Sequence, residues 1–85
     1  MSTADAETIR RRVQTFLSHK LAAQGLVVPP LTDSFAYLEA GVLDSIDFVN
    51  LLTELRRDLG VTLELEDLDP TEYATIGGLV ACLAR

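Results

Sequence analysis

The sequence predicts an all-α protein, a small bundle of three main helices and one short helix, and three observations carry that reading. Two long segments place their apolar residues on one helical face, the second of them at i, i+3, i+4, i+7 and i+11. The later segments are preceded by residues that cap helices well, Asp44, Asp69 and Thr75. One stretch, Val61, Leu63 and Leu65, alternates like a strand, but no second run of strand character exists to pair with it.

The first helix is expected over roughly 5 to 23. Ile9, Val13, Phe16, Leu17 and Leu21 share a face, while Arg10, Arg11, Arg12, His19 and Lys20 fall mostly elsewhere. Gln24-Gly25 and then Pro29-Pro30 end it, since glycine suits a C-terminal cap and a proline pair cannot continue the hydrogen-bond ladder. In the long loop that follows, Asp33-Ser34 is placed to cap a single turn carrying Phe35 and Leu38, and Gly41 permits a positive backbone angle. The second helix runs from Ser45 to Leu59, with Phe48, Leu51, Leu52, Leu55 and Leu59 on its apolar stripe, a rod about 22 Å long at 1.5 Å per residue. Gly60 stops it, and Val61, Leu63 and Leu65 are read as an extended loop lying on the core.

Asp69-Pro70-Thr71-Glu72 has the form of a capped helix start, with Asp69 as N-cap, Pro70 at the first helical position and Glu72 reaching back. A third helix of one to two turns is expected there. Thr75 caps the last helix, whose stripe is Ile76, Leu79, Val80 and Leu83; Gly77 and Gly78 weaken it but leave room for another helix to approach.

At 85 residues, the chain is read as a single domain, 1–85, and folding hides only about 60% of the surface that the unfolded chain exposes, which leaves little room for a deep catalytic cleft. Thirteen acids against seven bases give a formal charge of -6, which repels nucleic-acid phosphates and favours proteins with basic docking patches. Arg10, Arg11 and Arg12 are read as a solvated face. One cysteine, Cys82, excludes an internal disulfide, and with a single histidine no zinc-type cluster can be assembled. Cys82 is read as a small core residue. The start, MSTADAETIRRR, has no apolar leader core and no later run reaches the length of a membrane span, so a cytoplasmic location is expected.

The stretch Glu39-Ala40-Gly41-Val42-Leu43-Asp44-Ser45-Ile46-Asp47 is where chemistry enters. With Asp44 as N-cap, its carboxylate accepting from the amide of Ile46 or Asp47, Ser45 takes the first helical position with its hydroxyl free. A phosphodiester on that hydroxyl would lie by the unpaired amides and the positive end of the helix dipole. Asp44 and Asp47 would repel it somewhat, yet they suit a visiting partner's metal ion or basic residue. A hydrolytic triad of Ser45, His19 and an aspartate is rejected, because His19 lies on the polar side of the first helix and no oxyanion-hole loop is recognisable.

Leu38-Glu39-Ala40-Gly41-Val42-Leu43-Asp44-Ser45-Ile46 resembles the attachment motif of acyl and peptidyl carrier proteins, and the order of elements resembles that family over most of the chain. The resemblance implies an acyl-carrier-protein-like four-helix bundle, not an enzyme, whose Ser45 receives 4'-phosphopantetheine from coenzyme A through a Mg-dependent phosphopantetheinyl transferase. The arm would hold an acyl or aminoacyl group as a thioester. Asp44 would assist recognition by the transferase and its metal. Ile46 and Val49, off the core face, would form the apolar part of a docking surface, with Asp47 beside them. Further partners would be a loading ligase or synthase and downstream transferase or condensing enzymes, with no nucleic acid and no membrane, the carrier acting as a monomer. The second helix is less acidic than in fatty-acid carriers, with Asn50, Arg56 and Arg57 among Asp47, Glu54 and Asp58. The loop looks closer to stand-alone carriers of aminoacyl or D-alanyl transfer, or of polyketide and nonribosomal-peptide pathways. The alternative is an unmodified helical interaction module that keeps the carrier fold.

Overall fold

The computed structural model describes residues 5–61 and 69–84. Within them the chain forms three helices, α1 (Ala6–Ala23), α2 (Ser45–Leu59) and α3 (Ile76–Leu83), and no strand. The all-helical fold class is the one expected. Leu63 and Leu65 of the expected extended loop lie outside the described residues.

Helix α1 starts because Asp5 accepts from the backbone N–H of Thr8 at 2.9 Å, satisfying one of the donors that a helix start leaves unpaired. It ends in paired backbone bonds, Leu26 N–H to the Leu21 carbonyl and Gly25 N–H to the Ala22 carbonyl, which close the terminal carbonyls. Ile9, Val13, Leu17 and Leu21 are its buried face. Helix α2 buries Phe48, Leu51, Leu52 and Leu55, and each such leucine contributes about 1.5–3 kcal/mol by leaving water. Helix α3 adds Ile76, Leu79, Val80 and Leu83, and α1 contacts both of the others. Cys82, 2% exposed, is buried with them and sets its thiol 3.6 Å from a Glu72 carboxylate oxygen.

The loop between α1 and α2 is stitched down at several points. Gln14 donates to the Leu31 carbonyl at 2.9 Å, Arg10 pairs with Asp33 at 2.8 Å, and the first amides of α3 donate back, Ile76 to Phe35 and Gly77 to Asp33. Within it, turns form at 32–35 and over 36–42, and Tyr37 is wholly buried. The tyrosine hydroxyl donates to the Tyr73 carbonyl, so this polar tip enters the core satisfied.

Two sequence expectations change. The segment after Asp69 is a single turn, with Glu72 N–H bonded to the Asp69 carbonyl, and not a helix of one to two turns. The Asp69 carboxylate turns to Thr71, accepting from its N–H and its hydroxyl, while a Glu72 carboxylate oxygen lies 3.6 Å from the Cys82 thiol. Pro70 and Thr71 are exposed, and a turn with so little to bury has nothing to offset helix nucleation. The second change concerns Gly77 and Gly78, whose neighbours are loop segments and not a helix: a Cβ on Gly77 would meet Asp33, and one on Gly78 would meet the Glu72 carbonyl.

Candidate functional site

Asp44 is the N-cap of α2, held in extended backbone, and its carboxylate accepts from the Asp47 N–H at 2.8 Å. Of the two amides expected as donors, Asp47 is the one used. The return half of the box is present too, with the Asp44 N–H donating to the Asp47 carboxylate at 3.4 Å. Gly41, at a φ of 72°, turns the chain just before this point, a conformation that costs other residues a clash between Cβ and carbonyl. Val42 and Leu43 then plunge into the core, and the next residues emerge at the surface as the first turn of α2.

Ser45 therefore occupies the first helical position, exposed, and its hydroxyl makes no hydrogen bond among the described residues. First-turn amides lack intrahelical acceptors, and the aligned peptide dipoles make this end positive. Both acids beside it are engaged, and one is paired with a base. One Asp44 oxygen takes the Asp47 amide, and Asp47 forms an ion pair with Lys20 of α1 at 2.8 Å. That contact is the main reason the Asp47 carboxyl is held below the usual carboxylate range, with the Asp44 amide adding to it. An anion arriving at Ser45 meets less repulsion than the bare sequence suggests.

The expected docking residues divide. Ile46 is 71% exposed and Val49 46%, both flanking Ser45 and free of the core. Asp47 is half-buried, and its two oxygens accept from Lys20 and from the Asp44 N–H. Beside Ser45 opens a cleft of about 370 Å³ lined by Leu38, Leu43, Asp44, Phe48, Val49 and Tyr73. Phe48 lies between two tyrosine rings there, 4.8 Å from Tyr73 and 6.4 Å from Tyr37, each pair stacked. Sequence reasoning passed over both tyrosines, since neither sits on a periodic helical face. An aromatic residue four positions before the Gly41 turn was the signal to find Tyr37.

His19 lies in a separate groove along α1 with Arg12, Phe16, Lys20 and Glu54, and is not a lining residue of the Ser45 cleft. Among the described residues, no three side chains of metal-binding type form a cluster, and no helix is long and apolar enough to cross a membrane.

The helical fold thus exposes the Ser45 hydroxyl at a capped helix start, next to a cleft lined mostly by apolar side chains. The family described as phosphopantetheine attachment site matches residues 9–83, and the chain belongs to that family. Its members carry a covalently attached 4'-phosphopantetheine, are generally not catalytic, and interact with a phosphopantetheinyl transferase and with synthetic enzymes. No curated protein matches the chain.

Proposed function

We propose that Ser45 is the attachment residue and that the protein is a non-enzymatic carrier that presents an acyl or aminoacyl group to partner enzymes. The observation that carries this reading is the exposed, unengaged Ser45 hydroxyl at the amide-rich start of α2. Those features fit the group: a hydroxyl to form the phosphodiester, the uncapped Ser45 and Ile46 amides and a helix dipole to accommodate the phosphate, and a largely apolar cleft alongside. Once attached, the arm supplies a thiol that holds cargo as a thioester.

In the attachment step, the Ser45 oxygen forms the new bond to the phosphorus that bears the pantetheine, the pyrophosphate bond of coenzyme A breaks, and the adenosine bisphosphate half leaves. The hydroxyl proton passes to the transferase. Asp44 orients Ser45 through the cap and offers its carboxylate to the transferase and its metal. Ile46 and Val49 form the apolar docking contact; Asp47 acts by fixing the turn they stand on. Tethering then raises the local concentration of cargo at each docked active site without any new contact. The single-domain carrier works as a monomer in the cytoplasm, in aminoacyl transfer or in polyketide or nonribosomal-peptide synthesis, loaded by a ligase or synthase and unloaded by transferase or condensing enzymes.

Intact-protein mass spectrometry tests the attachment. After incubation with coenzyme A, Mg and a broad-specificity phosphopantetheinyl transferase, the wild type should gain one phosphopantetheine and Ser45→Ala none. A folded wild type that gains nothing with two different transferases would favour an unmodified interaction module built on the exposed Ile46 and Val49.

A further inference from the structure

Two sets of ion pairs tie α1 to α2, one near each end. Arg12 joins Glu54 at 2.8 Å and Asp58 at 2.6 Å toward the C-terminal end of α2, and Lys20 joins Asp47 at 2.8 Å in its first turn. The second tie lands on the residue that completes the Asp44 box. Asp47 uses one oxygen for Lys20 and the other for the Asp44 N–H. The contact to the Asp44 amide is long, at 3.4 Å, whereas the charge-assisted contact to Lys20 is short. Lys20 is therefore the stronger constraint on where the Asp47 carboxylate sits. Through it, a side chain on another helix sets the geometry of the turn that displays Ser45.

We infer that Lys20 is a positioning residue for modification of Ser45, acting across the helix interface through Asp47 and the Asp44 cap. This rests on Ser45 being the attachment residue. Without the ammonium group, the Asp47 carboxylate is released to solvent, the return half of the box opens, and the first turn of α2 frays. Ser45, one residue past the cap, then spends less time in the geometry that a transferase must find. A guanidinium can remake the same ion pair, so arginine should substitute.

The test measures kcat/KM for phosphopantetheine transfer to wild type, Lys20→Met, Lys20→Arg and Asp47→Asn, with Arg12→Met as the control that cuts the other α1–α2 tie. Lys20→Met should lose about two- to fivefold, the range that a partly exposed ion pair sustains. Lys20→Arg should recover most of it. Lys20→Met combined with Asp47→Asn should be no slower than the worse single variant. Hydrogen exchange of the Asp47 and Phe48 amides, which bond to Asp44, should quicken in Lys20→Met and not in Arg12→Met. Arg12→Met should lower Tm yet be modified at the wild-type rate. If Lys20→Met is modified as fast as wild type, or if rates across the variants merely follow Tm, the positioning role is overturned while the attachment reading stands. If the wild type itself gains no mass, the attachment reading fails first and takes this inference with it.

Discussion

At Gly78 a single added methyl group would collide with the backbone carbonyl oxygen of Glu72 and land 3.1 Å from the Thr75 hydroxyl oxygen. Backbone cannot swing aside as a side chain can, so the turn at 70–72 and α3 would have to part. We expect Gly78→Ala to lower the free energy of unfolding by about 1–3 kcal/mol through overpacking. Alanine's advantage over glycine inside a helix, roughly 0.5–1 kcal/mol, offsets only part of that. Denaturant melts decide it, and unchanged stability would show that Glu72 does not seat against α3. The glycine pair was visible in the sequence as a close-approach site; what fills the space was not, because composition records a missing side chain and says nothing of the segment that exploits it.

Among the elements, α2 was the most legible because every determinant is local: an N-cap, an unbroken stripe from Phe48 to Leu55, and Gly60 behind. The turn after Asp69 was misjudged for a physical reason. Its capping residues can satisfy one another within four residues, as Asp69 and Thr71 do, without any helix being propagated. The ties between α1 and α2 were also illegible, since residues on polar faces carry no periodic signal of their partners. Those ties have a pH signature. The Asp58 carboxyl is held below the usual range chiefly by the hydrogen bond from Arg12, with Arg57 next, as Asp47 is by Lys20. A carboxyl depressed in the folded chain contributes its full stabilisation above the ordinary aspartate value of about 3.9 and loses it as pH falls through the folded value. Stability should therefore decline on acidification below about pH 4. Arg12→Met should be less stable at neutral pH and show a shallower acid decline in thermal melts taken at a series of pH values. Parallel declines in the two proteins would show that Arg12 does not hold Asp58.

For the whole molecule, the arrangement separates a fold-holding interior from an end of α2 that leaves apolar side chains exposed. Buried side chains from all three helices and from the loop join in one core cluster, whereas Ile46 and Val49 stay outside it next to Ser45. Ile46→Asp should therefore change unfolding free energy by no more than about 0.5 kcal/mol, the usual span for surface substitutions. Yet it should raise the transferase's KM about fivefold or more if Ile46 is a central docking contact. A stable variant with unaltered KM would place the docking surface elsewhere. The motif from Leu38 to Ile46 was readable because its turn, cap and hydroxyl are consecutive in the chain. The cleft beside it was not, because Tyr73 reaches it from near the other end of the sequence.

The chain contains no tryptophan and two tyrosines, and both stack on Phe48, Tyr73 where it lines the Ser45 cleft and Tyr37 wholly buried. Its tyrosine emission thus originates around one phenylalanine, beside the serine proposed to bear the arm. Loading and unloading should be observable optically on the native chain, with no dye attached and no residue replaced.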